Sequence, residues 1–169
     1  MPKRPLESPI QTNIIKDYQF KFEIEIFPHV SYHMRNMQLP GVSVDNPQFS
    51  TPHRDLMLPG TKLTFDVLTV AFLLDDDLSN YKEVYYWLLY MAMTTSPYDE
   101  RPYSEKQSDA VLHILDGDLT PKTSVKFINC HPTTISDLSF DSGMDVGNSM
   151  EAFITLEYDY FIFDGDPIL

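Results

Sequence analysis

The sharpest alternation of apolar and polar positions lies between Tyr18 and Ile26. Tyr18, Phe20, Phe22, Ile24 and Ile26 fall on one side and Gln19, Lys21, Glu23 and Glu25 on the other, the period-two pattern of a half-buried strand. Pro28 ends it. Val30 to Leu39 predicts a second, weaker strand that closes in Leu39-Pro40-Gly41, where Pro and Gly suit the second and third positions of a type II turn. Val42 to Met57 follows neither period and carries Pro47 and Pro52 with polar residues around Phe49. A stretch of that kind in a compact domain predicts a projecting loop or extended hairpin that contacts a neighbour. Its expected contact residues are Val42, Phe49, Pro52, His53, Arg54, Asp55 and Leu58. Leu58-Pro59-Gly60 repeats the turn signal, but the flanks differ, so the two turns do not mark an internal repeat.

Leu58 to Met93 contains a turn, the longest apolar strand and the one convincing helix. Leu63 and Phe65 alternate with Thr64 and Asp66, after which Leu68, Val70, Phe72 and Leu74 carry the large apolar groups on the opposite parity. That phase change predicts a bulge or kink near Asp66 and Val67, or a strand buried on both faces. Asp75-Asp76-Asp77 ends the strand, and Asn80 with Glu83 resembles a capping box opening a helix near residues 80–93. Val84, Trp87, Leu88 and Met91 share one face of that helix, with Lys82, Glu83, Tyr86 and Tyr90 mostly on the other.

Thr94 to Gln107 is polar and reads as a surface connection. Ala110, Leu112 and Ile114 then begin a strand that turns at Asp116-Gly117-Asp118 and returns as Thr123 to Cys130. Ile135 to Phe140 predicts a short strand and Ser142 to Asn148 a turn. One long last strand is expected, with Ala152, Ile154, Leu156, Tyr158, Tyr160 and Ile162 on one face, and Phe153, Phe161 and Phe163 among the polar residues of the other. The fold class expected is therefore mainly β: an antiparallel β-sandwich or barrel of seven to eight strands with one flanking α-helix. Its expected core draws on Phe20, Phe22, Ile24, Val70, Phe72, Val84, Trp87, Leu88, Ile154, Leu156 and Tyr158. Residues 1–13, with Pro2, Pro5 and Pro9, read as a flexible arm, and residues 14–169 as a single domain.

Composition sharpens this picture. At 169 residues the chain suffices for one core without staples, and its single Cys130 forms no internal disulfide. No stretch approaches the roughly 20 apolar residues of a membrane span, and Met1 to Ile10 lacks the apolar region of a leader. The net charge of −13 is uneven, with no Lys or Arg after Lys126. Tight binding to a phosphate backbone depends on Lys and Arg, so this charge disfavours it.

Candidate chemistry is sparse. There is no G-x-S-x-G, phosphate loop or H-E-x-x-H, so no enzyme activity, cofactor or metal is expected. His29 and His33 have helical ligand spacing, but Pro28 and strand-like flanks favour turn histidines. Cys130 and His131 are neighbours that point to opposite faces of a strand. Asp75-Asp76-Asp77 lacks the alternating ligands of an EF-hand and suits a helix N-terminus. Asp141 and Asp145 read as turn residues. Tyr81, Tyr85, Tyr86, Trp87 and Tyr90 leave open a carbohydrate-binding platform on a monomeric sandwich, beside the simpler account of core packing and an intersubunit contact.

The run from Thr51 to Met91, TPHRDLMLPGTKLTFDVLTVAFLLDDDLSNYKEVYYWLLYM, and the later TSVKFINCHPTTISDLSFDSGMDVGNSMEAFITLEYDY together resemble the tail-tube family of contractile-tailed bacteriophages, which includes major tube proteins and related baseplate tube-initiators. The matching features are Leu68 to Asp77 running into Asn80 to Met93 with Trp87, then Phe127 to Cys130, Pro132 to Leu138 and Glu151 to Tyr160. The resemblance implies a structural protein of the virion tail, assembled in the host cytoplasm. It implies hexameric rings stacked into an inner tube, with tail sheath and baseplate proteins as partners and DNA passing through without specific binding. A single initiator or terminator ring is the alternative.

Overall fold

The computed structural model describes residues 16–27, 30–31, 33–92, 106–141 and 149–165. The expected arm at 1–13, Pro28, His29, Met93, the turn at 142–148 with Asp145, and most of the 94–107 connection lie outside the described residues.

Among the described residues the chain is mainly β, with a seven-stranded antiparallel sheet and one helix of several turns. The sheet runs in the order β1 (Phe20–Ile24), β8 (Ser108–Leu115), β9 (Pro121–Ile135), β10 (Glu151–Glu157), β7 (Leu68–Leu73), β2 (Met34–Gln38), and β11 (Tyr160–Phe163) also pairs with β9. It does not close into a barrel, because β1 and β2 form its two ends. The fifteen-residue β9 joins the two halves. Its first part pairs with β8 through Ser108↔Cys130 to Leu115↔Pro121, and its last part pairs with β10 through Ile154↔Ile135 and Glu157↔His131.

The core lies inside this curl. Phe22, Ile24, Leu112, Val125 and Phe127 come from one half and Leu68, Val70, Phe72, Ile154 and Leu156 from the other. The helix α1 (Ser79–Ala92) adds Val84 and Trp87. Phe20, Leu88 and Tyr158 are partly buried against the cluster. Each full burial of a large apolar side chain contributes about 1.5–3 kcal/mol. Trp87 is fixed further, its indole N–H donating to the Lys106 carbonyl at 2.9 Å and its ring lying 5.0 Å from that of Phe27.

Several local expectations change. The strand expected from Leu63 to Leu74 is two strands, β6 (Leu63–Phe65) and β7, parted at Asp66 and Val67 because β6 leaves the main sheet to pair with β3 (Val42–Val44). That exchange of partners is the cause of the phase change. The short strand expected at 135–140 is absent: β9 continues to Ile135 and residues 136–140 have no strand structure. The long final strand breaks at Tyr158 and Asp159 into β10 and β11. The strand expected from Val30 to Leu39 shortens to β2, with Val30 and Ser31 in a helical turn.

Neither proline-glycine turn is type II, since neither Gly41 nor Gly60 has positive φ. Close backbone approach requires glycine at Gly60, whereas at Gly41 the neighbour is the end of the exposed Asp66 side chain, which can turn away. A Cβ on Gly41 would lie 2.7 Å from the Asp66 carboxylate, and one on Gly60 only 1.5 Å from the Asp45 carbonyl. No helix among the described residues is long and apolar enough to cross a membrane.

Candidate assembly surface

Residues 42–65 leave the body as an arm made of two short ladders. The proximal ladder pairs β3 with β6, Val42↔Phe65 to Val44↔Leu63. The distal ladder pairs β4 (Gln48–Ser50) with β5 (Asp55–Met57), Gln48↔Met57 to Ser50↔Asp55. Pro47 and Pro59 cannot donate to a ladder, which accounts for the interruption. The return strand carries five residues across the joint, 58–62, against three on the outgoing strand, 45–47, so the arm has an elbow there. Two bonds frame the elbow, Asp45 N–H to the Lys62 carbonyl at 3.2 Å and Leu58 N–H to the Pro47 carbonyl at 3.0 Å.

Apolar groups on the arm face solvent. Val42, Val44 and Leu63 are between 44% and 47% exposed, Phe49 is 57% and Met57 is 70%. A two-stranded ladder is at best marginal alone in water, and among the described residues this arm has no third layer packed on it. Each expected contact residue, Val42, Phe49, Pro52, His53, Arg54, Asp55 and Leu58, lies exposed on this element. The tip is tied locally, with the Ser50 hydroxyl donating to Asp55 at 2.7 Å and the Thr51 hydroxyl bonding the Arg54 carbonyl.

The base of the arm is held by aromatic rings. Phe65 lies 6.1 Å from Tyr158 and 5.4 Å from Phe161, both at edge-on angles, and those two rings contact Phe127 at 5.1 and 5.6 Å. The Tyr158 hydroxyl donates to the Asp66 carbonyl at 2.8 Å. Burial, with the Asp66 carboxylate nearby, pushes that phenol up to about 12, so it remains a donor through neutral pH. Phe161 and Phe65 were absent from the expected core. The signal was the aromatic excess on the last strand, hidden because parity inverts at Asp159 and turns Phe161 inward.

The helix N-terminus is reached through Leu78, at φ 56°, whose carbonyl accepts the first helical bond from Lys82. Asp77 accepts from Ser79 N–H at 3.4 Å, and Asp75 accepts from the Ser79 hydroxyl at 2.9 Å. Asn80 is buried in the first turn. Its amide donates to the Leu73 carbonyl at 2.6 Å, and its oxygen accepts from Tyr81 N–H at 2.8 Å and Asp75 N–H at 3.4 Å, so it ties the strand end to the helix. Glu83 sits one turn on, half-buried. Tyr85 and Tyr86 are exposed with rings tilted 60° to one another, which is not a flat stacking platform.

Among the described residues no three His, Cys, Asp or Glu side chains gather to hold a metal. His33 lies 3.1 Å from Asp75 and His131 3.7 Å from Glu157, each linking neighbouring elements. His113 bonds Ser124 at 2.9 Å. Cys130 is fully buried, and burial raises its thiol to about 12, the opposite of an activated nucleophile.

With this geometry in hand, likeness to solved structures decides the fold. A chain of the anti-feeding prophage baseplate, 6-fold symmetrised, superposes with a TM-score of 0.66 at 14% identity, covering 92% of this chain and 98% of that one. The fold is that of contractile injection particle components. A chain of the extracellular contractile injection system PVC sheath-tube complex, in its extended state, matches with a TM-score of 0.63 at 14% identity over 89% and 91% of the two chains. A chain of the anti-feeding prophage tube terminating cap matches with a TM-score of 0.66 at 14% identity over 96% and 99%. These tube-type neighbours are structural particle components rather than enzymes. No family model matches the sequence, and no curated protein matches it significantly.

Proposed function

We propose that this chain is a structural subunit of a phage contractile tail, forming stacked hexameric rings of the inner tube through which DNA passes. The observation that carries this is end-to-end likeness, over 91% or more of each partner chain, to components of a baseplate, a sheath-tube complex and a cap. The exposed arm at 42–65 is the element through which one copy contacts the next, and the sheath and baseplate are the outer partners. Such a subunit resides in the virion tail and is built in the host cytoplasm.

The lumen wall in this scheme is the outward face of β2, β7 and β10. Its Asn36, Gln38, Thr69 and Thr155 are small or uncharged, and its Glu151 and Glu157 are acidic. Arg35 and Glu151 neutralise each other there, so Glu157 is the charge among these residues that repels phosphate, and none of them is an unpaired cation. A ring structure with basic or neutral side chains lining the bore would refute it.

The cap likeness, equal in score to the baseplate likeness, favours a second reading: a single terminator or initiator ring. Quantitative mass spectrometry of purified particles separates the two. Many rings' worth of copies per particle marks the tube, one ring's worth marks the initiator or terminator, and absence from particles overturns both.

A further inference from the structure

We propose that Phe65 and Tyr158 are positioning residues that set the direction of the arm in the free molecule, before it meets anything. Such aiming belongs to a single copy; only its use in assembly rests on the reading above. The chain crosses between body and arm twice, at 39–41 and 66–67, and neither crossing has strand structure. Leu39, Gly41, Asp66 and Val67 are exposed there, and Pro40 alone is buried. One main-chain bond, from Asp66 N–H to the Gly41 carbonyl at 3.0 Å, joins the two crossings. A proline and one rung give the arm a pivot and leave its angle open, because few contacts resist bending about them.

The angle is set at the second crossing. Phe65, in the last rung of the proximal ladder opposite Val42, meets Tyr158 at 6.1 Å and Phe161 at 5.4 Å, edge-on to both. Those two rings rest in turn on Phe127, which has no exposure, so the contact is backed by the core. Edge-to-face pairs hold an orientation, since the positive edge of one ring seeks the negative face of the other. The Tyr158 hydroxyl adds a second grip, donating to the Asp66 carbonyl at 2.8 Å in the gap between β6 and β7. Ring and hydroxyl thus hold two consecutive residues of one crossing, which resists rotation of the arm as well as tilt. Tyr158 is itself fixed by the strands on either side of it, β10 and β11, both paired to β9. An element held at its working angle beforehand needs no ordering when it binds.

The test places nitroxide labels at Met57→Cys on the arm and Thr134→Cys on β9, both exposed positions, in the full chain with buried Cys130 as background. Pulsed electron resonance reads the distance distribution between them, in dilute protein at low salt so that copies stay apart. One narrow distribution is expected in the parent, one about twofold wider in Tyr158→Phe, and a wider one still in Phe65→Ala. Circular dichroism checks that each variant is folded. A parent distribution that is already broad, or folded variants as narrow as the parent, overturns the proposal. Association kinetics give the second readout: Tyr158→Phe is expected to associate severalfold more slowly and to dissociate at the parent's rate, a split that a merely structural loss would not produce. Association at the parent's rate despite a widened distribution overturns the use of aiming in assembly. A parent protein that never self-associates overturns the assembly reading and leaves the aimed arm standing on the distances.

Discussion

Leu119 sits at φ 59° in the β8–β9 turn, 67% exposed, with its N–H bonded to the Asp116 carbonyl at 2.9 Å. A left-handed conformation costs a non-glycine residue about 1–2 kcal/mol, and this side chain recovers little by packing. Leu119→Gly is expected to stabilise the protein by about 1 kcal/mol net of the added freedom of the unfolded chain, read as a higher denaturant midpoint at unchanged slope. The sequence showed a turn at Asp116-Gly117-Asp118 but not that the strained position falls on Leu119, because turn residues mark a reversal more clearly than which of them takes positive φ.

Cys130 gives the pH prediction at this scale. Its thiol is raised from an ordinary value of 9.0 to about 12 by burial first and by the Asp109 charge second. The unfolded thiol ionises near 9 and the folded one does not. Stability is therefore intact below that value and is lost as pH rises toward 12, by about 4 kcal/mol at full effect. Urea midpoints are expected to fall between pH 8.5 and 10 in the parent protein and to fall less steeply in Cys130→Ala. Tyr158, whose phenol is likewise raised from 10.0, contributes equally to both proteins, so the difference between their slopes reports Cys130.

Among the elements, β1, β7, β8 and the helix were legible because each writes its own period into the sequence. Phe22 and Ile24 alternate with charge, and Val84 and Trp87 recur at helical spacing. The break at Asp159, the open sheet and the division of the arm into two ladders were not legible, since partner choice is set by distant strands. The arm itself could be seen only as a stretch without a period. Its elbow depends on Gly60, whose absent side chain lets the Asp45 carbonyl close in. Gly60→Ala cannot be accommodated there without moving backbone, yet it touches no core residue. Purified Gly60→Ala protein is expected to melt within about 1 °C of the parent while losing self-association in sedimentation velocity. A fall in melting temperature with assembly intact would count against the elbow as an assembly element.

For the whole molecule, charge is the dominant long-range term. Copies carrying −13 repel each other until salt screens them, and the screening length shortens from about 10 Å at 0.1 M to about 3 Å at 1 M. Self-association is accordingly expected to strengthen with added sodium chloride, the reverse of a contact built on ion pairs, and light scattering across a salt series reads the sign directly. Charge was fully legible in the sequence. Where the carboxylates lie on the curled sheet was not.

The long central strand also sets a schedule for synthesis. β9 is complete once Ile135 has been made, but β10, which joins it to β7, and β11, which closes over Phe127, come from the last twenty residues described. Until they leave the ribosome, Leu68, Val70 and Phe72 have no partner on one side. A chain that has made β9 but not β10 and β11 therefore holds two unjoined half-sheets, and the folded body exists only once those two strands are in place.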